Sequence, residues 1–166
     1  MIILGIDPGY ERLGVAIIES NPKPTILYSS CVETSRKLSH PERLEIIGGE
    51  ISKLLKKFRP AEVVVETLFF NTNQKTALHV SEARGVVIYE STSHGCIVSE
   101  YTPLQVKIAV TGYGRGTKDQ VIFMLGKLLT INKKIKHDDE YDAIAVALTH
   151  AVSYKQRNRI KNLSKS

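Results

Sequence analysis

Three short stretches of the chain carry carboxylates where a buried strand or a helix start would leave them exposed to one another. MIILGID places Asp7 after an apolar, largely β-branched run and directly before Pro8-Gly9. AEVVVE repeats the device, ending a second apolar run on Glu66, and HDDEYD packs four acids into residues 137–142. A carboxylate delivered to the tip of a core strand costs desolvation energy unless something positive meets it. Asp139 and Asp142 are three residues apart, hence on one face of a helix. Brought together, Asp7, Glu66, Asp139 and Asp142 would repel and raise one another's pKa values. Divalent cations remove that repulsion, and an all-oxygen set suits Mg²⁺, with Mn²⁺ as a substitute, rather than Zn²⁺. Two such ions about 4 Å apart can activate a water and stabilise the leaving oxygen of a phosphodiester. Each stretch also has a plainer reading taken alone: Asp7 as a turn residue, Glu66 as a surface acid, and 137–142 as helix capping.

The elements that must position these acids follow from periodicity and punctuation. Residues 2–7, 14–19 and 25–34 read as three strands joined by short turns, an antiparallel meander. Leu44, Ile47, Ile51, Leu54 and Phe58 recur at helical spacing between Pro41 and Pro60. Residues 61–66 then read as a fourth strand and 74–93 as a helix with Leu78, Ala83, Val86 and Val87 on one side. Residues 96–101 read as a fifth strand. Thr102-Pro103 starts a short helix, and the Thr117/Gln120 spacing starts another after the loop Gly112-Tyr-Gly-Arg-Gly-Thr-Lys118. A last helix runs from about Asp138 through Ala151, with Asp138 as a capping residue. The pattern predicts an α/β mixed five-stranded sheet, three antiparallel strands then two parallel, flanked by helices. The first and fourth strands are expected neighbours, which sets Asp7 beside Glu66 beyond the strand ends.

Composition bounds the rest. With 166 residues, 42% hydrophobic and 24% charged, the chain reads as one domain over residues 1–154 followed by a basic tail, 155–166. No apolar run approaches the roughly 20 residues that span a bilayer. The N-terminus lacks a basic leader with a cleavage site, and Cys31 and Cys96 form neither a metal-type pair nor a disulfide framework. A cytoplasmic protein without membrane contact is expected. The net charge is +6, and the tail alone holds Lys155, Arg157, Arg159, Lys161 and Lys165 without an acid. With the cluster Lys133, Lys134 and Lys136, that distribution suits nucleic acid or serves only solubility.

Four segments, in order, resemble the RuvC-type Holliday-junction resolvases: GIDPG at 5–9, VVVET at 63–67, ARGV at 83–86 and DEYDAIAVALTH at 139–150. The resemblance implies a ribonuclease-H-like fold and a crossover junction endodeoxyribonuclease acting in recombination and repair. It implies paired symmetric nicks on strands of like polarity, made by a homodimer on four-way junction DNA, with a branch-migration helicase complex as a possible partner. By motif it assigns metal binding and catalysis to Asp7, Glu66, Asp139 and Asp142, with two ions expected per site. Asp139 is preferred over its neighbours because D-x-x-D-A is matched by residues 139–143; whether His137 or Asp138 assists is left open. Phe69 occupies the place of an aromatic that stacks on a base near the crossover. Lys107 and Lys118 are expected to contact phosphate, with Arg84 and the loop residue Arg115 as further DNA contacts.

Three other readings compete. A ribonuclease-H-like nuclease acting on RNA–DNA hybrids would use the same acids. An actin-like ATPase would use Asp7-Pro8-Gly9 near a nucleotide but needs two such domains. A non-catalytic DNA-binding module would keep the basic tail and not need four converging carboxylates.

Overall fold

A computed structural model describes residues 1–67 and 74–163, with side chains given for 1–67 and 77–154. The five strands are β1 (Ile2–Asp7), β2 (Arg12–Glu19), β3 (Thr25–Glu33), β4 (Glu62–Glu66) and β5 (Ile97–Tyr101). The helices are α1 (His40–Phe58), α2 (Gln74–Ser93), α3 (Pro103–Thr111), α4 (Lys118–Leu128) and α5 (Asp138–Leu163). They form one sheet in the order β3-β2-β1-β4-β5. β1 pairs antiparallel with β2 and parallel with β4, so the expected mixed topology is observed.

Strand alternation sorts the apolar residues between two layers. Leu4, Ile6, Leu13, Val15, Ile17, Val63 and Val65 meet Ile47, Ile51, Leu54 and Leu55 of α1 and Ala83 and Val87 of α2. Ile3, Ala16, Ile18 and Val64 face the other way, onto α3, α4 and the alanine-rich stretch of α5. The helix starts follow their capping signals. Ser39 and Glu42 form a capping box on α1, and Thr102/Gln105 and Thr117/Gln120 do the same for α3 and α4.

Two expectations change. Leu78 was expected on the apolar side of α2, yet it is 61% exposed, because the packed face of that helix is carried by Ala83 and Val87. The last helix was expected to stop near Ala151, yet α5 continues to Leu163; residues 152–163 contain neither Gly nor Pro to end it. Cys31 and Cys96 are free thiols. Among the described residues no helix is long and apolar enough to cross a membrane.

Candidate active site

Asp7, Gly5 and Ile3 share one face of β1, and Glu66, Val64 and Glu62 share the same face of β4. That face looks onto α5. The β1–β4 register pairs Ile6 with Val65, so the next position on each strand brings Asp7 alongside Glu66.

Small residues bring α5 close enough for its acids to join them. A Cβ on Gly14 would stand 1.9 Å from the carbonyl oxygen of Asp139, and one on Gly5 would stand 2.4 Å from that of Ala143 and 2.6 Å from the Cβ of Ala147. Neither contact is sterically possible, so the first turns of α5 lie directly on bare backbone of β1 and β2. Asp7 pairs with Gly14 across the β1–β2 ladder, which fixes the start of α5 over the strand tips. The acids therefore sit on a rigid strand–helix junction, as positional accuracy at a reactive site requires.

The cations at this corner, Lys118 and Arg12, compensate its acids only in part. Burial, followed by the charges of Glu66, Asp142 and Asp139, pushes the Asp7 carboxyl up to about 8. Burial and Asp142 push Glu66 up to about 7, opposed by Lys118, a hydrogen bond with Asp7, and Lys107. Burial also raises Asp142, against the pull of Lys118. Lys118 Nζ donates to Asp142 Oδ2 at 2.9 Å and lies 3.4 Å from Asp138 Oδ2. Burial opposes the Lys118 charge, but its bonds and attraction to Asp142 and Asp138 outweigh that and raise its pKa.

Asp139 completes the rim, with Arg12 Nε 3.4 Å from its Oδ2. Arg12 also contacts His137 Nδ1 at 3.3 Å, and His137 Nε2 lies 3.0 Å from Glu33. His137 is thus engaged with the β2–β3 side of the corner. Asp138, expected as a cap, is the first residue of α5, and its carboxylate meets Lys118. The donor set fits a metal: several partly buried carboxylates, among them an Asp7 pushed up by burial and its acidic neighbours, offer oxygen atoms alone. Lys118 and Arg12 reach Asp142 and Asp139, and a hard dication would supply the positive charge that Asp7 and Glu66 still want.

Across residues 3–150 the chain matches the family Crossover junction endodeoxyribonuclease RuvC. It belongs to that family. Relatives include the RuvC of Alkaliphilus oremlandii, 46% identical over 153 residues covering 91% of this chain and 93% of that protein. The RuvC of Clostridioides difficile is 44% identical, covering 98% and 97%. Among solved structures, Thermus thermophilus RuvC superposes with a TM-score of 0.87 at 32% identity, covering 94% of this chain and 96% of the other. The same Thermus protein in complex with a Holliday junction substrate gives 0.88 at 33% identity, with the same coverage. The ribonuclease-H-like fold expected from sequence is therefore the fold of this RuvC-family chain.

The remaining candidates are distributed unevenly around the RuvC-family corner. Lys107, on α3, lies close enough to Glu66 to lower its pKa. Arg115 is exposed in the loop before α4. Arg84 belongs to the opposite layer and is ion-paired with Glu100 of β5, 2.6 Å away. Phe69 and the tail side chains Lys155, Arg157, Arg159, Lys161 and Lys165 lie outside the described residues. Of the basic cluster at 133–136, Lys133 turns inward: its Nζ is 2.6 Å from Glu140 Oε1 and donates to the Ser29 carbonyl at 2.6 Å. Sequence reasoning missed Arg12, Glu140 and the two contact glycines. Arg12 was discoverable, since it opens the strand paired with β1 and lies two residues before Gly14.

Proposed function

We propose that this crossover junction endodeoxyribonuclease cuts four-way DNA junctions by metal-assisted hydrolysis, with Asp7, Glu66, Asp139 and Asp142 holding two Mg²⁺ ions, for which Mn²⁺ can substitute, at the strand–helix corner. The observation that carries the reading is the convergence of Asp7 and Glu66 beneath the first turns of α5, with their pKa values pushed up to about 8 and about 7. When bound, hard dications supply activation of water and stabilisation of the leaving oxygen. The protein's own residues do the positioning. Asp7 and Glu66 present oxygens from adjacent strand ends, and Asp142 adds one from α5. Asp139 is held at the rim by Arg12.

The lysines divide the remaining work. Lys118 restrains Asp142 in the free protein and is placed to turn toward a phosphate once cations neutralise the acids. Lys107 adds positive potential beside Glu66, where a scissile phosphate would approach. Phe69, three residues past Glu66, would stack on an unpaired base, a contact worth about 1–3 kcal/mol. Arg84 and Arg115 are further candidates for strand contact, Arg84 after exchanging Glu100 for phosphate. Two copies of the chain acting as a homodimer would match the two-fold symmetry of the junction and produce paired nicks. A branch-migration helicase complex would then act upstream of the cut.

The test uses synthetic four-way junctions with each strand end-labelled in turn, beside linear duplex and RNA–DNA hybrid. Paired symmetric nicks on junctions with Mg²⁺, lost in Asp7→Asn while junction binding persists, are expected. Cleavage of the hybrid instead would replace the substrate, and cleavage retained by Asp7→Asn would overturn the assigned metal site.

A further inference from the structure

Apart from the acids at the start of α5, a second set of potential metal ligands converges, and it differs in chemistry. His40 stands in the first turn of α1, and His79 and Glu82 stand one turn apart on α2. Glu82 Oε2 lies 3.0 Å from His40 Nε2 and 3.3 Å from His79 Nδ1. All three donor atoms fall within 4.8 Å of one another, which no other three His, Cys, Asp or Glu side chains among the described residues achieve. Zinc-class bonds of about 2.0–2.1 Å in a tetrahedron place ligand atoms about 3.3 Å apart. The two Glu82 separations are already at that edge length.

The surroundings hold the rings in place. Tyr10 Oη lies 2.7 Å from His40 Nδ1, so with Nε2 given to a metal, Nδ1–H donates to the phenol. That is the outer partner a ligating histidine ordinarily has. The Tyr10 ring stacks on His79 with centroids 4.8 Å apart, and the Arg43 guanidinium sits 3.6 Å from the Tyr10 centroid. Arg43 also donates to the Tyr10 carbonyl. His40 and His79 line a cavity of about 460 Å³ shared with Gly9, Arg12 and Asp139, which gives an ion an entry path and leaves room for water, and Glu82 is exposed.

We propose that His40 Nε2, His79 Nδ1 and Glu82 Oε2 bind one transition-metal dication of the zinc class, water completing the shell. The site would clamp the start of α1 to α2. Two imidazoles with one carboxylate select against Mg²⁺, which prefers oxygen alone. The inference is independent of the reaction assigned to the four acids, whose ligand set is the reverse in hardness.

Co²⁺ is the probe, added to the full chain in a large excess of Mg²⁺ so that the acid corner is saturated. The expected result is the intense visible absorption of four-coordinate Co²⁺, saturating at one equivalent and erased by Zn²⁺. His79→Ala and Glu82→Gln should each weaken it at least about tenfold, and Tyr10→Phe by about tenfold through its outer-shell role. Asp7→Asn should leave it unchanged. Circular dichroism confirms folding, and Zn²⁺ should raise the Tm of the wild type but not of Glu82→Gln, whose amide keeps the side chain's shape. Absence of the absorption in the wild type would overturn the proposal, as would its persistence in His79→Ala and Glu82→Gln or its loss in Asp7→Asn.

Discussion

The two ends of the β4–α5 contact are built alike and charged differently. β4 presents Glu62 and Glu66 on one face, about 13 Å apart at strand rise. α5 presents His150 and Asp142, about 12 Å apart at helix rise, running the opposite way. At one end Glu62 Oε2 lies 2.7 Å from His150 Nε2, and His150 Nδ1 is 3.2 Å from the Tyr101 hydroxyl, all of it buried. At the other end Glu66 faces Asp142 and Asp7, and burial with like charge raises all three carboxyls. One scaffold thus places a complementary pair in its interior and a repelling group at its mouth. The complementary pair holds α5 to the sheet. The repelling group gives up stability in the free protein in exchange for a place where cations are wanted.

The sharpest way to break this comparison is to neutralise the repelling end. Asp7→Asn should lower the Mg²⁺-dependent cleavage rate of a four-way junction by at least ~10³-fold, about 4 kcal/mol of barrier. The same change should raise the Tm of the metal-free protein by several degrees, because it removes a buried acid that its neighbours repel. Single-turnover cleavage and calorimetry in chelator read the two effects separately. A variant that lost both activity and stability would mean that Asp7 holds the fold together and is not a site acid.

The complementary end should respond in the opposite sense. His150→Ala leaves the buried Glu62 carboxyl without its partner and should cost about 1–3 kcal/mol of folding stability, read as a lower urea midpoint. Glu62→Gln, which keeps a hydrogen-bonding shape, should cost less. Neither should abolish cleavage at temperatures where the variant remains folded. If Glu62→Gln stopped cleavage in a folded protein, the two ends would not be functionally distinct.

How far these two ends were legible in the sequence differs for a physical reason. Asp7 and Glu66 announced themselves because each closes an apolar run, and a charge at the end of a buried strand needs a cause. The β1–β4 neighbourhood, the Thr117/Gln120 capping box and the α5 start followed from local signals. Glu62 was equally regular, two and four residues before Val64 and Glu66, but a charge at the start of a strand reads as ordinary surface. Its partner, 88 residues later, has no local signature. Gly5 and Gly14 were invisible as contact residues because their role is to have no side chain where α5 crosses them. Leu78 misled for the converse reason, since helical spacing marks a face without saying that anything covers it. The His40–His79–Glu82 group joins two helices from distant parts of the chain and is legible only once they pack.

A pH titration sharpens the comparison at smaller amplitude. Asp7 titrates at 3.8 when unperturbed and at about 8 in the folded chain, so between those values the native state binds more protons than the unfolded one. Stability from this group is therefore greatest below about pH 4, falls as pH rises, and levels off above about pH 8. Glu66, raised from 4.5 to about 7, adds to the fall over the lower part of the window. Metal-free protein should lose on the order of a few kcal/mol between pH 5 and 8, and saturating Mg²⁺ should flatten the curve. A metal-free curve that is already flat would mean that the acids are not coupled to folding.

Lys118 tests the boundary between the two kinds of end, because it is the one described cation that reaches into the repelling group by direct contact with Asp142. Its side chain is 46% exposed, so as a structural ion pair it is worth about 1 kcal/mol or less. Lys118→Met should therefore lower the metal-free Tm by no more than about 2–4 °C. If Lys118 only shields Asp142, Mg²⁺ would take over that work, and the variant would cleave normally at saturating metal. If it transfers to phosphate, junction affinity would fall and the slope of log affinity against log salt would drop by about 1, even with the metal site filled by Ca²⁺ to block cutting. The second outcome is expected. In the free protein the ammonium touches Asp142 and Asp138, two acids for a single positive charge; cations that neutralise the acids would weaken that hold and free the lysine at the moment a phosphate arrives.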